Sequence, residues 1–391
     1  MIPRMPVEQA TWCSLLITGW LVLWFTQFAK PVSAFDDPVA GNRSASESVI
    51  PQSHGELSSK ELAAAMQLTS QAFRLAAKRV EPSLVTIESF GGAGTTRGKI
   101  GGIRKQGEGN TTGVVISTDG YIVTSTFSFI EQPSFFSVIP SDGKRRIAKL
   151  IGRDDTRKIC LLKIEEVVEL PVPEMVLEDS IRVGQWALSL GVGYGDASPA
   201  LSMGIISAKN RIGARAIQTD ANISPANYGG PLIDIEGRIL GICVPMNPQS
   251  QAVGAGVEWY DSGIGFAIPL GGADELINRL KRGEHIQPAF LGLQVAPDEK
   301  GRGLRVEKIV ADSAVEKAGL KDGDRITHID GQQVDDVLRL RQILNRFEAG
   351  QDVKIKILTA GDEVAKSISV TLGVPPRPKD ELPTLEPPQI R

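Results

Sequence analysis

The chain has 391 residues, 41% of them hydrophobic and 23% charged, with a formal net charge of −3. That composition is globular, the length accommodates two or three domains, and the near-neutral charge gives no reason to expect nucleic acid as a partner. Three cysteines are too few for a disulfide framework and their spacing fits no metal site, so neither a metal nor a cofactor is expected.

The first segment places Arg4 before the apolar run Trp12 to Phe28 and the small-residue site Val32-Ser33-Ala34. Residues 1–34 therefore have the outline of a secretory signal, with an uncleaved N-terminal anchor as the alternative. Residues 35–58 are rich in Ser, Asn, Pro and Asp and read as a linker. At Ser59 a helical pattern begins, carrying Leu62, Met66, Phe73, Leu75 and Val80 and stopping at the Glu81-Pro82 step, because proline pushes its predecessor out of helical conformation.

From Leu84 to Ile268 the pattern changes to short β-branched and apolar runs, among them Gly113-Val-Val-Ile, Tyr121-Ile-Val-Thr, Lys158-Ile-Cys-Leu-Leu-Lys-Ile and Arg238-Ile-Leu-Gly-Ile. Turn signals such as Thr118-Asp119-Gly120 and Glu236-Gly237 separate them, which argues for antiparallel barrels or a sandwich. Cys160 and Cys243 lie inside such runs as small buried hydrophobes, and whether they pair stays open. A helix from Ala273 to Arg282 closes the region. A further unit follows, with Phe290-Leu-Gly-Leu, the strands Gly303-Leu-Arg-Val, Arg325-Ile-Thr-His-Ile and Val353-Lys-Ile-Lys-Ile, and a helix from Val337 to Phe347. The proline-rich tail, 375–391, is expected to be disordered.

One stretch organises the rest. Gln218 to Leu232, with Pro225, Asn227 and Gly229-Gly230, is a sharply bent loop able to aim a side chain and several N–H groups into a cleft. It resembles the Gly-Asn-Ser-Gly-Gly-Pro-Leu loop of HtrA-type (DegP-like) serine proteases, with Tyr228 at the serine and Ala226 at the first glycine. Gly107 to Tyr121, Arg182-Val-Gly-Gln-Trp-Ala-Leu and Gly263-Ile-Gly-Phe-Ala-Ile-Pro269 are similar to further motifs of that family, in the family's order. The resemblance covers Leu84 to Val374. It implies a mainly β chain: two trypsin-like barrels with an N-terminal helix over 59–283, then a PDZ domain over 286–374.

Carried over position by position, the resemblance puts Phe127 where the family has its histidine, Lys158 where it has the orienting aspartate, and Tyr228 at the nucleophile. Ala226 and Asn227 occupy the oxyanion loop, where a Cβ at Ala226 would strain any backbone needing positive φ. The chain's histidines are His54, His285 and His328, and none is expected within the barrels. No catalytic residue is therefore assigned and the chain is expected not to be an enzyme. Phe127 and Tyr228 are expected to fill the cleft and Lys158 to reach solvent, rather than Tyr228 and Lys158 forming a new acid–base pair. Asp220, Asn222 and Ser224 are taken as structural.

In the PDZ unit the resemblance places a carboxylate-binding loop at Phe290, Leu291, Gly292 and Leu293, with apolar pockets between the next strand and the helix from Val337. The expected function is an exported periplasmic or cell-envelope adaptor, scaffold or chaperone that binds C-terminal or unfolded polypeptides. The alternatives are a serine-type endopeptidase of protein quality control, and a structural subunit assembled with active HtrA proteases. A homo- or hetero-oligomer, a trimer by resemblance, is implied.

Overall fold

The computed structural model describes residues 58–90, 110–129, 133, 135–165, 170–193, 198–247, 256, 262–298, 303–359 and 365–376. The expected export segment, most of the linker and the tail beyond 376 lie outside them.

Helix α1 (Ser59–Val80) starts with a reciprocal cap: the Ser58 hydroxyl accepts from the Glu61 N–H, and the Glu61 carboxylate accepts from the Ser58 N–H at 2.8 Å. The helix ends as expected at Glu81, before the Pro82 turn. Only Phe73, Ala76 and Val80 are buried, whereas Leu62, Met66, Leu68 and Leu75 are exposed.

Two barrels follow. Strands β1 (Leu84–Phe90), β2 (Thr111–Val115), β3 (Tyr121–Ser125), β4 (Phe135–Ile139), β5 (Arg146–Asp154) and β6 (Ile159–Ile164) run in the order β5-β4-β1-β2-β3-β6, closed by the β5–β6 pairing. Strands β7 (Trp186–Gly191), β8 (Ala200–Asn210), β9 (Ala216–Thr219), β10 (Pro231–Ile233), β11 (Ile239–Val244) and β12 (Gly265–Ile268) close as β10-β11-β12-β9-β8-β7.

The apolar runs are nearly continuous because these strands bury both faces. Side chains alternate across a strand. Val115, Ile122, Cys160 and Leu162 fill the first barrel, and Ala187, Leu240, Cys243 and Ala267 fill the second. Their immediate neighbours Val114, Val123, Leu161, Leu188, Ile242 and Phe266 point outward into a third core shared by the two barrels and by Phe73, Ala76 and Val80 of α1. The cysteine question is thereby answered: Cys160 and Cys243 are both free, each inside a different barrel. Burial pushes both thiols well above their ordinary pKa.

Helix α2 (Asp274–Lys281) leads to β13 (His285–Ile286), which pairs in parallel with the end of β5 through His285 opposite Arg153 and Ile286 opposite Asp154. The seam between the two expected domains is therefore itself a strand added to the first sheet.

The last unit has the sheet order β14-β15-β16-β18-β19, from β14 (Leu293–Pro297), β15 (Leu304–Ile309), β16 (Arg325–Ile329), β18 (Asp352–Leu358) and β19 (Lys366–Thr371); the short β17 (Gln332–Gln333) pairs with β16. Two helices, α3 (Ala314–Lys317) and α4 (Val337–Leu344), cover a core of Leu304, Ile326, Leu340, Ile343 and Ile355. Asp336 caps α4 by accepting from the Arg339 N–H at 2.7 Å. The helix stops at Leu344, three residues short of the expected Phe347, because Arg346 and Phe347 close back on Ile343 and Leu344.

The two stripes of α1 make contrasting predictions. Phe73 is 7% exposed and meets Trp186 edge to face at 5.4 Å, so Phe73→Ala is expected to cost about 3 kcal/mol. Leu62→Ala, at 52% exposure, should cost less than about 0.5 kcal/mol. Urea denaturation of the two variants checks both values.

Candidate functional site

The inter-barrel cleft is built from the end of β3, the turn after β5 and the loop between β9 and β10. After β3 the chain enters a 3₁₀ turn, Thr126–Phe129, in which the Ser125 hydroxyl accepts from the Phe127 N–H at 3.2 Å and the Thr126 N–H donates to the Lys158 carbonyl at 2.8 Å. This turn sends Phe127 out of the first barrel and into the core of the second, beside Ile181, Ile217 and Ile223. There it meets Tyr228 edge to face, with centroids 5.0 Å apart at 64°. Both rings are buried, Phe127 at 5% and Tyr228 at 2% exposure.

Asp154 shapes the turn that carries Lys158. Its carboxylate accepts from the Thr156 N–H at 2.8 Å, the Arg157 N–H at 3.0 Å and the Arg157 guanidinium at 2.7 Å. Lys158 is left with φ 57° and only 4% exposure. The expectation that Lys158 reaches solvent is thus corrected: the tightness of this turn folds its side chain inward. Burial pushes its pKa down to about 8, with Arg153 adding to the shift and Asp155 opposing it.

His285 sits on the first sheet through β13, and its Nε2 lies 2.7 Å from Asp155 Oδ2. Parallel pairing brought it there from outside the barrel sequence.

The loop after β9 is tied on every side. Asp220 accepts from the Ile205 N–H at 2.6 Å, Asn222 donates to Ser202 Oγ at 3.0 Å, and Ser224 Oγ donates to Asn227 Oδ1 at 3.0 Å. Thr112 joins the barrels here: its hydroxyl donates to the Ala226 carbonyl at 2.7 Å and accepts from the Val192 N–H at 2.8 Å. Ala226 does not adopt positive φ, so the strain anticipated from its Cβ does not arise. The N–H groups of Asn227 and Tyr228 both donate to the Ser224 carbonyl, at 2.9 and 3.2 Å. A small pocket beside Tyr228, with Ile223, Val244, Met246 and Phe266 in its lining, has room for about one water molecule.

The second candidate surface is the loop before β14. Gly292 has φ +82°, and a Cβ there would stand 2.2 Å from Ser313 Cβ. The Phe290 N–H, expected among the carboxylate donors, is instead committed to the Gly373 carbonyl at 3.0 Å. The N–H groups of Leu291 and Gly292 have no acceptor among the described residues, while the Leu291 side chain is buried in the core. β14 forms the edge of its sheet, and α4 packs beside it.

Lys158 gives this region a pH signature. Its folded pKa lies below the unfolded value of about 10.4, so between about pH 8 and 10 the unfolded chain binds a proton that the folded chain does not. Stability relative to Lys158→Met is therefore expected to be flat below pH 8 and to rise by about 3 kcal/mol from pH 8 to 10.5. Denaturation of the pair across this range checks the slope.

Comparison with known proteins supplies the family. A trypsin-like peptidase domain matches residues 111–242 and a PDZ domain matches residues 289–372. A protein of Halomonas elongata named "Probable periplasmic serine endoprotease DegP-like" is 31% identical over 277 residues, covering 67% of this chain and 56% of its own length. Proteins of the same name from Chlamydia trachomatis and Marinomonas sp. are both 32% identical, covering 66% and 69% of this chain and 53% and 57% of their own lengths. The chain thus spans about half the length of the relatives it matches. Among solved structures, the HtrA-type protease AlgW with decapeptide superposes with a TM-score of 0.57 at 27% identity, over 78% of this chain and 99% of that one. AlgW with tripeptide gives 0.56 at 28% identity, over 79% and 99%. These relatives overturn the expectation that the chain is not an enzyme, since the proteins about 31% identical to it carry the name of serine endoproteases. The chain belongs to the HtrA (DegP-like) family, with a mainly β, trypsin-like double barrel followed by a PDZ domain.

Proposed function

We propose that this chain is an exported protein of the cell envelope that handles polypeptides in protein quality control and takes hold of their C-termini at Leu291 and Gly292. One observation carries the reading: two N–H groups that have no acceptor among the described residues lie at the head of β14, whose outer edge no described strand covers beside α4. An extended peptide added to that edge would find backbone partners along β14, and its terminal carboxylate would meet the two donors. The peptides named with the AlgW structures and the word periplasmic in the names of the relatives support it. A family-like oligomer is part of this reading, and light scattering of the purified chain tests it.

Serine-type endopeptidase activity is the chemistry that the relatives' names favour. Because Phe127, Lys158 and Tyr228 occupy the matched positions, the hydroxyl responsible has to be located by experiment. Incubation with unfolded casein is expected to give cleavage products, and a fluorophosphonate probe followed by peptide mapping is expected to mark one hydroxyl. An absence of both turnover and label would remove the endopeptidase reading while leaving peptide capture standing.

For capture, amidating the C-terminus of a bound peptide should weaken binding by at least roughly tenfold, because charge-assisted hydrogen bonds are worth about 1.5–3 kcal/mol. Gly292→Ala should do the same, since its Cβ meets Ser313 and its positive φ disfavours a side chain. Titration calorimetry with the free acid and the amide checks both. Equal affinity for the two peptides would remove the proposal.

A further inference from the structure

The PDZ unit has a second surface, on the face of its sheet that turns away from the core. Strand alternation sends Val353, Ile355 and Ile357 of β18 and Val370 of β19 inward and leaves their neighbours facing solvent. The register then sets Lys356 between His328 and Ser367, and Lys354 beside Ser369. Both lysines and both serines are exposed. Charge on this face is matched at its ends and unmatched in its middle. At one end Arg305 lies 3.6 Å from Glu307 and Arg325 lies 3.3 Å from Asp298; at the other, Asp352 accepts from the Thr371 hydroxyl at 2.5 Å. Lys354 and Lys356 form no ion pair among the described residues. They stand two residues apart on one strand, so they project on the same side about 6.6 Å from each other.

Two cations without counter-charges call for an anion, and their surroundings select which one. The aromatic residues of this unit, Phe290 and Phe347, lie in the loop before β14 and against the core, so this face offers no ring for the bases of a single-stranded nucleic acid to stack on. Of the outward residues of β18 only Leu358 is apolar, which leaves little to insert into a lipid surface. Hydroxyls are present instead. Ser367 and Ser369 stand directly across from the two lysines, with Cβ atoms about 5 Å apart, and each hydroxyl can both donate and accept. Adjoining rows of ammonium and hydroxyl groups suit a polymer in which acid groups are interspersed with sugar hydroxyls.

We propose that this face binds an anionic glycan, whose carboxylate or sulfate groups meet Lys354 and Lys356 while its hydroxyls bond Ser367 and Ser369. Because the formal net charge of the whole chain is −3, the attraction is local to this face. Strands β15 and β16 separate β18 from the β14 edge, so the chain can be tethered to a polysaccharide with its peptide groove free. The site stands whether or not a peptide binds at Leu291 and Gly292.

Fluorescence anisotropy of the full chain with labelled heparin, a sulfated glycan, and labelled polygalacturonate, a carboxylated one, tests it. Neutral dextran, phosphatidylglycerol vesicles and oligo(dT) serve as competitors. At least one charged glycan is expected to bind, and raising salt from about 50 to about 200 mM should weaken it roughly tenfold, as two or three charge contacts require. Lys354→Gln combined with Lys356→Gln should weaken binding by at least roughly tenfold, and Ser367→Ala combined with Ser369→Ala by roughly threefold, with melting temperatures unchanged because all four residues are exposed. Lys60→Gln combined with Lys78→Gln, which removes the same charge from exposed positions of α1, should leave binding as it is. Failure of both charged glycans to bind at low salt, an equal loss in the α1 variant, or more effective competition by dextran, vesicles or oligo(dT) than by unlabelled glycan overturns the proposal.

Discussion

Closed barrels have no free edges, and this constraint governs how the molecule is joined. Apart from the two-residue β13 added to the end of β5, the strands of each barrel pair only with strands of the same barrel, so no ladder links the two. The joint is therefore made by outward-facing side chains, Val114, Val123 and Leu161 from one barrel and Leu188, Ile242 and Phe266 from the other, with the last turns of α1 sealing one side. Burial at about 25 cal/mol per Å² of apolar surface is the driving force for such a joint, and it is non-directional. Direction has to come from a few polar ties. Thr112, bonded at once to Ala226 and Val192, is one of them.

The candidate site inherits its character from that joint. Phe127 leaves the barrel that makes it and completes the core of the other, so the residues at the cleft serve cohesion between the barrels. The loop from Asp220 to Gly230 is fastened to β2 and β8, which fixes where its carbonyls and N–H groups point. The PDZ unit differs: among the described residues no strand pairs with the outer edge of β14, and no acceptor meets the Leu291 and Gly292 N–H groups. Between these two regions lies the charged contact of Glu348 with Arg157 and Arg279.

Local signals made much of the fold legible in the sequence. The start of α1 at Ser58 and its stop before Pro82 follow from capping chemistry and proline sterics, both confined to a few residues. Strand positions followed from β-branched runs between glycine turns, and the double-barrel and PDZ architecture followed from motifs carried in order. The loop at Gln218 to Leu232 announced itself through Pro225, Asn227 and the glycine pair, whose backbone preferences act locally.

Contacts between residues far apart in sequence were decided only by the tertiary structure. Burial of Lys158 depends on how Asp154 closes its turn against a neighbouring strand, and His285 reaches Asp155, 130 positions away in sequence, because β13 pairs with β5. The Phe290 N–H is taken by Gly373, a residue at the far end of the same unit. The grip of Arg157 and Arg279 on Glu348 spans 191 and 69 positions and leaves no periodic trace in the sequence. Sequence determined which elements form, because helix caps, turns and strand alternation are written in adjacent residues. Which charges meet and which donors stay open was settled by folding, because electrostatic and hydrogen-bonding partners are set by distance in space.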